Sequence, residues 1–460
     1  MGPVTAPGLG GPADAAARFL RPGTLNLSEL PPLSLYVHLP WCLKKCPYCD
    51  FNSHATPGPD GGQGAGPHGL PEQRYLDALR ADLEAALPLV WGRRVISVFI
   101  GGGTPSLFSP AGIERLLAEV RARVPLEPGC EITLEANPGT FEAQRFRAFR
   151  QAGITRLSIG VQSFDDQALE RIGRVHDAAQ ARAAVAEARE AFDTFNIDLM
   201  YALPGQTLQA LQADLDTALA FAPPHLSVYH LTMEPNTVFA ARPPAGLPDE
   251  DTAAGMLDLI VERTAGAGLQ RYEVSAFARP GHRCRHNLNY WQFGDYLGIG
   301  AGAHGKLSFP HRVLRQVRWR EPATYMDKAL AGQAVSNEHE VARKDLPFEY
   351  VLNALRLREG FALEDFCART GLAPSVLATA VANGRHKGLL EPGPEAEPSQ
   401  ESALQSPRAL RPQRVVPSDR GFDFLSDLQA LFLPACPVPA DRLNPGLRSP
   451  PHVQTDPPGT

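Results

Sequence analysis

Three cysteines within eight residues are the part of the chain whose types and spacing most directly predict chemistry. Cys42, Cys46 and Cys49 have three and then two residues between them. A loop this compact presents three thiolates to three corners of one [4Fe–4S] cluster, because such clusters are held by cysteine thiolates. No fourth cysteine lies nearby. One iron therefore keeps an open position for a substrate or cofactor, as catalytic metal sites do.

A zinc ion completed by His38 or His54 is the alternative metal site at this loop. Structural zinc sites usually combine two separated pairs of ligands. Here all three cysteines share one loop, which favours the cluster. Cys130, Cys367 and Cys436 have no metal-like spacing, and we interpret them as structural.

Composition and charge restrict the class of protein. The 460 residues carry a net charge of −6, which argues against a large nucleic-acid surface. No apolar run approaches the roughly 18 residues of a membrane helix. The first thirty residues lack a secretory apolar core. They carry only two arginines, Arg18 and Arg21, and include the acidic Asp14 and Glu29, a composition that fits a mitochondrial leader poorly. Seven cysteines, three of them within eight residues, and no signal peptide predict a cytoplasmic protein.

Short apolar runs alternate with amphipathic segments from residue 34 onward. Strands are predicted at Ser34–His38, Val95–Ile100, Glu131–Leu134, Arg156–Gly160, Phe195–Met200 and Leu226–His230. Helices are predicted at 73–88, 110–123, 141–151, 177–191 and 206–220. This alternation predicts an α/β fold, with a parallel sheet curled into a partial (β/α)6 barrel by right-handed crossovers.

Each predicted strand ends at, or contains, a chemically distinctive residue or segment. In strand order these are His38–Asp50, Gly101–Pro105, Glu135, Gln162, Asp198 and His230–Glu234. Chemistry in barrels of this type gathers beyond the carboxyl ends of the strands. A carboxylate inside an apolar strand, as at Asp198, is costly unless it is paired or bound. The shared placement predicts one site.

The rest of the chain predicts further units. A helix at 251–267 and a strand at Tyr272–Phe277 follow the last barrel strand. We divide the chain into a flexible N-terminal segment (1–33), the barrel with the region that follows it (34–335), a small α-rich, winged-helix-like domain (336–436) and a disordered tail (437–460). Pro- and Gly-rich composition predicts a loop at 55–69, and Pro-, Ser- and Glu-rich composition predicts a disordered insert at 391–417.

The cysteine loop after the first strand and the segment Gly101-Gly102-Gly103-Thr104-Pro105 after the second resemble the radical S-adenosylmethionine superfamily. In that superfamily the open iron binds the amino and carboxylate groups of S-adenosylmethionine. The resemblance is to its oxygen-independent coproporphyrinogen III oxidase-like family, over about residues 34–435. It implies that S-adenosylmethionine is bound by Tyr36, Tyr48, Gly102, Gly103, Thr104, Glu135, Gln162, Arg174 and Asp198. Taken alone, Glu135 is equally a surface acid, and Arg174 could pair with Glu170 one turn earlier.

A second motif decides between branches of this family. Coproporphyrinogen dehydrogenases carry a further cysteine two residues after the third cluster ligand, where this chain has Phe51. Instead, this chain has a motif that resembles the heme chaperones of the HemW type, formed by His286, Asn287, Tyr290 and Trp291. A neutral imidazole is a good axial iron ligand, and aromatic rings can cover a porphyrin face.

Other interpretations of this region stay open. Without the resemblance, a capped turn with a buried structural histidine is favoured. Cys284 could supply a thiolate to iron, although a small buried thiol is the favoured interpretation. His304, in a glycine-rich loop, could line the same cavity.

The resemblance implies a cytoplasmic heme chaperone that carries a [4Fe–4S] cluster and exchangeable S-adenosylmethionine. It would bind heme through His286 and pass it to an acceptor protein, with respiratory proteins among the candidates and transient membrane association allowed. The alternative is an oxygen-independent coproporphyrinogen III dehydrogenase that acts by radical decarboxylation. Radical modification of a nucleic acid, a third possibility, fits the net charge poorly.

Overall fold

A computed structural model describes residues 23–56, 69–139, 145–392 and 413–433. Most of the segment 1–33, of the loop at 55–69 and of the insert at 391–417 lies outside the described residues, as does the whole tail from 437. The division into domains stays a prediction.

A parallel sheet forms the centre of the molecule. Its first six strands along the chain are β1 Leu33–Leu39, β4 Val95–Gly102, β5 Leu126–Ala136, β6 Arg156–Gln162, β7 Thr194–Tyr201 and β8 His225–His230. Two short strands, β2 Trp41–Cys42 and β3 His54–Ala55, come between β1 and β4 in the sequence and form a separate pair. The six long strands pair in sequence order, all parallel. The predicted partial (β/α)6 barrel is confirmed, and each of its six predicted strands lies within an observed one.

Helices connect these strands and cover the outside of the sheet. They are α1 Glu72–Val90, α2 Pro110–Arg123, α3 Phe146–Ala152, α4 Asp166–Arg171, α5 Ala178–Ala191, α6 Leu208–Ala220, α7 Val238–Ala241 and α8 Glu250–Gly266. In α1 the apolar side chains at spacings of three and four, Tyr75, Leu76, Leu79 and Leu83, are buried. This is the apolar stripe by which a helix covers a sheet.

An antiparallel extension that the sequence analysis did not predict continues the sheet beyond β1. Its strands are β11 Asp295–Ile299, β12 His304–Phe309, β13 Arg312–Arg318 and β14 Val335–Glu340. The strand β11 is parallel to β1, and the next three pair antiparallel in order. These strands mix charged and apolar residues, as in β13 (Arg-Val-Leu-Arg-Gln-Val-Arg), and β14 (Val-Ser-Asn-Glu-His-Glu) has no buried residue. Their hydrophobic alternation is therefore too weak to mark them in the sequence.

The single strand predicted at Tyr272–Phe277 is wrong. Two short strands stand there instead, β9 Gln270–Arg271 and β10 Ala276–Ala278. They pair with each other antiparallel, and the backbone N–H of Tyr272 donates to the carbonyl of Ala276 at 3.1 Å. The chain folds back as a hairpin because this hydrogen bond closes the turn between them.

The C-terminal part is mainly helical. It contains α9 Arg285–Trp291, α10 Pro322–Leu330, α11 Leu346–Ala354, α12 Leu363–Thr370, α13 Ala378–His386, α14 Asp419–Asp423 and α15 Leu425–Ala430, with the strand pair β15 Phe361–Ala362 and β16 Arg414–Val415. A second hydrophobic core joins α11, α12, α13 and α15 to the antiparallel extension, which contributes Val313 of β13. Among the described residues, no helix is both long and apolar enough to cross a bilayer.

Candidate functional site

The cysteine loop is attached to the barrel at several points. The pairing of β2 with β3 closes its base, and the side-chain amide of Asn52 donates to the carbonyls of Ala301 and Arg320 at 2.9 and 2.8 Å. The imidazole Nε2 of His38 lies 2.9 Å from the carbonyl oxygen of Asn52. These contacts hold the loop over the carboxyl ends of the strands.

All three thiols of the loop line one cavity of about 360 Å³. Most of the residues predicted to bind S-adenosylmethionine line it with them: Tyr48, Gly102, Gly103, Thr104, Glu135, Gln162, Arg174 and Asp198. Asn287, from the second motif, also lines this cavity. Tyr36, His286, Tyr290 and Trp291 do not. The structure therefore brings together side chains from every strand that the sequence analysis singled out.

Each thiol has at least one polar neighbour, and Cys46 also contacts the side chain of Tyr48. The Thr104 hydroxyl donates to Cys42 Sγ at 3.5 Å, and Arg174 Nη1 donates to Cys46 Sγ at 3.6 Å. The Sγ of Cys49 lies 3.6 Å from the hydroxyl of Ser53. Burial raises the pKa of Cys42 to about 11. Formation of a thiolate in this loop thus depends on a positive partner such as iron.

The thiols do not converge on one point. Among the described residues, no group of three or more His, Cys, Asp or Glu side chains could hold a single metal ion. A zinc ion needs such convergence, whereas a four-iron cluster binds each thiolate at a different iron. The described residues therefore give no support to the zinc alternative.

Arg174 is turned into the barrel instead of pairing with Glu170. Its Nη2 donates to the side chain of Asn137 and to the carbonyl of Gly160, both at 2.7 Å. Its Nε is buried and has no partner among the described residues. Because a buried donor without a partner is costly, this guanidinium is suited to a further anionic or sulfur partner in the cavity.

Asn137 is a site residue that the sequence analysis missed. Its Nδ2 donates to the Thr104 hydroxyl at 2.7 Å, and its Oδ1 accepts from Arg174. It therefore joins the two side chains that contact Cys42 and Cys46. Its position two residues after Glu135 at the same strand end was a signal that could have found it.

Two carboxylates, Glu135 and Asp198, lie inside the barrel; neither forms an ion pair with a residue that the structure describes, although the charge of Arg156 in the same cavity acts on both. The backbone N–H of Gly102 donates to Glu135 Oε2 at 3.0 Å. Asp198 accepts from Asn196 at 2.7 Å and from Ser158 at 3.1 Å. Burial and the negative charge of Asp198 raise the pKa of Glu135 to about 7, and burial also raises the pKa of Asp198. A ligand with a positive group would be favoured between them.

Glycine is needed at the end of β4 because neighbouring protein atoms occupy the space of a Cβ. A Cβ on Gly102 would lie 2.5 Å from the His38 ring, and one on Gly103 would lie 2.6 Å from the carbonyl oxygen of Trp41. Gln162 has a φ of 69° at the end of β6, where the register with β7 shifts. Such a bulge re-aims a side chain, and here Gln162 lines the cavity.

A second cavity, of about 410 Å³, lies beside the first. His286, Asn287 and Tyr290 of the second motif line it, together with Tyr36. The two cavities share a wall formed by Asp50, Phe51, Phe99, Gly102, Glu135 and Asn287. The two sequence motifs thus define adjoining cavities instead of one.

His286 is deeply placed in the second cavity. Its ring is 9% exposed, lies 4.9 Å from the Phe99 ring, and has Nδ1 3.3 Å from the Ser97 hydroxyl. Burial, assisted by the charge of Arg156, lowers the pKa of His286 to about 3. The imidazole is therefore neutral at pH 7, which is the form that binds iron.

Trp291 lies outside both cavities. The guanidinium of Arg356 lies over its ring at 4.3 Å, and its edge-on neighbour is Tyr290 at 5.1 Å. Tyr290 also packs on Tyr296, which lines the second cavity. The predicted role of Trp291 in covering a porphyrin stays a prediction. In this structure Trp291 contacts Arg356, which lies two residues after the end of α11.

Comparison with known proteins first defines the class. The family model described as the Radical SAM superfamily matches residues 36–218. A solved structure of coproporphyrinogen III oxidase from Escherichia coli, described as a radical SAM enzyme, superposes with a TM-score of 0.69 at 24% identity and covers 88% of this chain and 90% of that one. At that identity the likeness shows the fold alone. The open barrel with its three-cysteine loop is a radical SAM fold, and that superfamily implies a [4Fe–4S] cluster and S-adenosylmethionine.

Curated relatives then define the family. Heme chaperone HemW from Escherichia coli (strain K12) is 47% identical over 364 residues, which cover 79% of this chain and 92% of that protein. Heme chaperone HemW from Bacillus subtilis (strain 168) is 34% identical, with 76% and 92% covered. The mouse protein named radical S-adenosyl methionine domain-containing protein 1, mitochondrial, is 42% identical over 71% of this chain and 74% of its own length. The chain belongs to the HemW family.

Proposed function

We propose that this protein binds heme and transfers it to an acceptor protein, and that its cluster and S-adenosylmethionine occupy the cavity next to the heme. The observation that carries the proposal is the shared wall between the cysteine-lined cavity and the cavity of the His286 motif. A ligand on one side of this wall contacts the same Phe99 and Glu135 side chains as a ligand on the other. Occupancy of one cavity can therefore alter affinity in the other.

Cys42, Cys46 and Cys49 would hold the cluster, with Thr104 and Arg174 as donors to two of the three sulfurs. Such hydrogen bonds to cluster sulfurs tune the reduction potential. When bound, the cluster would supply one electron to S-adenosylmethionine at its open iron. The unpartnered Nε of Arg174, and Gly102 and Gly103 in the cavity wall, fit these groups.

For S-adenosylmethionine, this chain offers carboxylates, an amide and an aromatic ring. The buried carboxylates Glu135 and Asp198 suit a ligand that carries positive charge. Gln162 adds an amide at the bulge of β6. Tyr48 packs against Phe239 with ring centroids 6.4 Å apart, so it would close the side of the cavity next to the cysteine loop.

The second cavity suits heme because aromatic rings and imidazoles line it. Tyr36, Phe51, Phe99, Tyr290 and Tyr296 contribute rings, and His38, His286 and His304 contribute imidazoles. Phe51 is 62% exposed at the cavity edge. An apolar pocket with a few polar groups is the usual form of a cofactor site.

The relatives named heme chaperones, at 34–47% identity, favour this function over coproporphyrinogen III dehydrogenation. The structural likeness to coproporphyrinogen III oxidase shows a shared fold, and Phe51 stands where that enzyme type has a further cysteine. We place the protein in the cytoplasm, where a reducing environment preserves the three free thiols. Respiratory hemoproteins are candidate acceptors, and transient membrane association would bring the protein to them.

Titration of the full-length, anaerobically reconstituted protein with hemin tests the proposal. We expect the Soret band to saturate at one heme per chain, and the heme to move to an apo-hemoprotein added afterwards. A Soret change that never saturates, as free or aggregated hemin gives, would overturn the heme-binding function. Saturation without any transfer would overturn the delivery step alone.

A further inference from the structure

Arg156, the first residue of β6, carries a guanidinium that is buried without a binding partner. The side chain is 2% exposed and lines the first cavity, the one that the three thiols line. It forms no hydrogen bond and no ion pair with any residue that the structure describes. A buried charge is costly unless it is paired. Arg156 therefore marks a place for an anionic group on the floor of the barrel.

Thr133 adds a second unpartnered polar group beside Arg156. The two residues are in register on the neighbouring strands β5 and β6, so their side chains lie on the same face of the sheet. The Thr133 hydroxyl is completely buried, and within the described part of the chain it has no hydrogen-bond partner. A hydroxyl and a guanidinium side by side can both donate to one carboxylate.

Two carboxylates lie near Arg156 but do not bind it. The charges of Glu131 and Asp198 act on the guanidinium, yet neither forms an ion pair with it. Both already accept hydrogen bonds from other residues. Their charges lower the cost of burying the guanidinium, but they leave its N–H donors without acceptors.

The carboxylate of S-adenosylmethionine has its place at the other end of the barrel. In the radical S-adenosylmethionine superfamily this carboxylate binds the open iron, and here the cysteine loop lies over the carboxyl ends of the strands. The strand β6 extends about 20 Å from Arg156 to Gln162, and Arg156 is at its amino end. The rest of S-adenosylmethionine carries no negative charge. The anion that suits Arg156 therefore comes from a different ligand.

Arg156 lies next to the start of α9, the helix that carries the second motif. Glu131, Thr133 and Glu135 alternate along β5 and so face the same side of the sheet. Glu131 binds the backbone N–H groups at the start of α9, and Glu135 belongs to the wall shared by the two cavities. Thr133, the register partner of Arg156, stands between them. Asn287, in the first turn of α9, lines both cavities.

We propose that Arg156, together with the Thr133 hydroxyl, binds a propionate of the heme. The inference rests on the proposed function and deepens it, because it names the charged group by which heme is held. Heme carries two propionates, and a guanidinium binds a carboxylate through two parallel hydrogen bonds. Among the three ligands of the proposed function, heme alone brings a carboxylate that is not bound to the open iron of the cluster.

Changing the protein and the ligand together tests this assignment. Full-length protein with a reconstituted cluster is titrated anaerobically with hemin and with hemin dimethyl ester, which lacks both negative charges. We expect the ester to bind wild type about tenfold more weakly or worse, and this difference to fall to about twofold or less in Arg156→Gln. Arg189→Gln, at an exposed position on α5 that lines neither cavity, is the matched control and should keep the full difference.

Arg320→Gln tests the competing guanidinium. Arg320 lines the second cavity, and its side chain is exposed. Because exposed ion pairs contribute little, we expect the difference between hemin and its ester to persist in this variant. An equal difference in wild type and Arg156→Gln, or its loss in Arg320→Gln alone, would overturn the assignment.

Thr133→Val keeps the test decisive if Arg156→Gln does not fold. The substitution removes a hydroxyl that has no partner among the described residues, so we expect it to leave the thermal stability of the unliganded protein undiminished. Hemin affinity should nevertheless fall by about threefold or more, because one hydrogen bond to a charged group is lost. Unchanged hemin affinity in Thr133→Val would remove the hydroxyl from the site, and if Arg156→Gln does not fold it would overturn the proposal.

Equilibrium dialysis of Arg156→Gln with S-adenosylmethionine separates the two ligands. We expect affinity within about twofold of wild type. Weaker binding of S-adenosylmethionine, with an unchanged difference between hemin and its ester, would assign Arg156 to S-adenosylmethionine and overturn the proposal. Failure of the wild type to bind hemin would instead reject the proposed function.

Discussion

Glu135 shows how a single residue in this site depends on what occupies the cavity. The carboxyl group is buried, accepts one hydrogen bond from Gly102 and faces the negative charge of Asp198. Burial and the charge of Asp198 disfavour its ionised form, whereas the hydrogen bond from Gly102 favours it. A positively charged ligand would reverse this balance, so the residue couples ligand binding to protonation.

The raised pKa of Glu135 predicts a pH-dependent stability. The unfolded carboxyl has its ordinary pKa of 4.5 and the folded one a pKa of about 7. Between these values the unfolded chain releases a proton that the folded protein keeps, so stability falls as pH rises. We expect Glu135→Gln, measured by chemical denaturation without S-adenosylmethionine, to reduce the loss of unfolding free energy between pH 5 and pH 8 by about 2 to 3 kcal/mol.

Glu114→Gln is the matched control for this measurement, because Glu114 is exposed on α2. It should leave the pH profile of the wild type unchanged. An identical profile for Glu135→Gln would show that Glu135 ionises in the folded protein as it does in the unfolded chain.

Cys46 is the thiol to which Arg174 donates, and its replacement tests the cluster site. Serine keeps the size but does not ionise as a thiol does, so we expect Cys46→Ser to lose most of its iron and sulfide after anaerobic reconstitution. Cys367→Ser, a half-buried cysteine on α12 that lines neither cavity, should retain both. Full iron content in Cys46→Ser would exclude the three-thiolate site.

At the scale of elements, the end of β4 determines how closely a ligand can approach. The strand ends at Gly102, whose φ is +115°, a value that residues with a side chain rarely adopt. The neighbouring chain then contacts Gly102 through the His38 ring and Gly103 through Trp41. The glycine run thus has two separable causes, backbone conformation and lack of space.

A pair of alanine variants separates these causes. Gly129 also has a positive φ, of +72°, but no atom lies within 4 Å of its added Cβ. We expect Gly129→Ala to lower the free energy of unfolding by about 1 kcal/mol through backbone strain alone. Gly102→Ala should cost clearly more and should weaken S-adenosylmethionine binding, as measured by equilibrium binding. Equal losses of stability and unchanged binding would show that space at Gly102 is unimportant.

At the scale of the whole molecule, the antiparallel extension is tied to the barrel by buried charges. Arg318 on β13 pairs with Asp82 on α1 at 3.2 Å, and both side chains are at most 2% exposed. The same carboxylate accepts from the Tyr325 hydroxyl and from the Gly300 backbone. Since His304 and Arg320 lie on this extension, Asp82 also positions one wall of the second cavity.

Removing one partner of this ion pair should be strongly destabilising. Arg318→Met leaves Asp82 buried without its positive partner, and we expect the free energy of unfolding to fall by about 3 to 5 kcal/mol. Arg74→Met breaks the exposed pair with Asp327, which joins α1 to α10, and should cost less than about 1 kcal/mol. Chemical denaturation of both variants measures the difference. Similar losses would mean that burial adds nothing to the Asp82 pair.

Much of the fold could be predicted because its signals are local. The six parallel strands and their covering helices follow from apolar periodicity within short windows, as in α1 with its buried Tyr75 and Leu79. The strands β11 to β14 could not be predicted in this way. Their residues have mixed polarity, and they become a sheet because β11 pairs with β1, some 260 residues earlier.

The three-thiolate loop was determined by the sequence itself, because its ligands lie within eight consecutive residues and need no distant contact to come together. The same holds for the glycine run that follows β4. Only the tertiary structure decided that the His286 motif lies in a separate cavity sharing a wall with the first, and that His286 is buried while His304 is exposed. The physical reason is that spacing along the chain determines which residues can share one loop. Burial depends instead on side chains brought together from strands far apart in sequence.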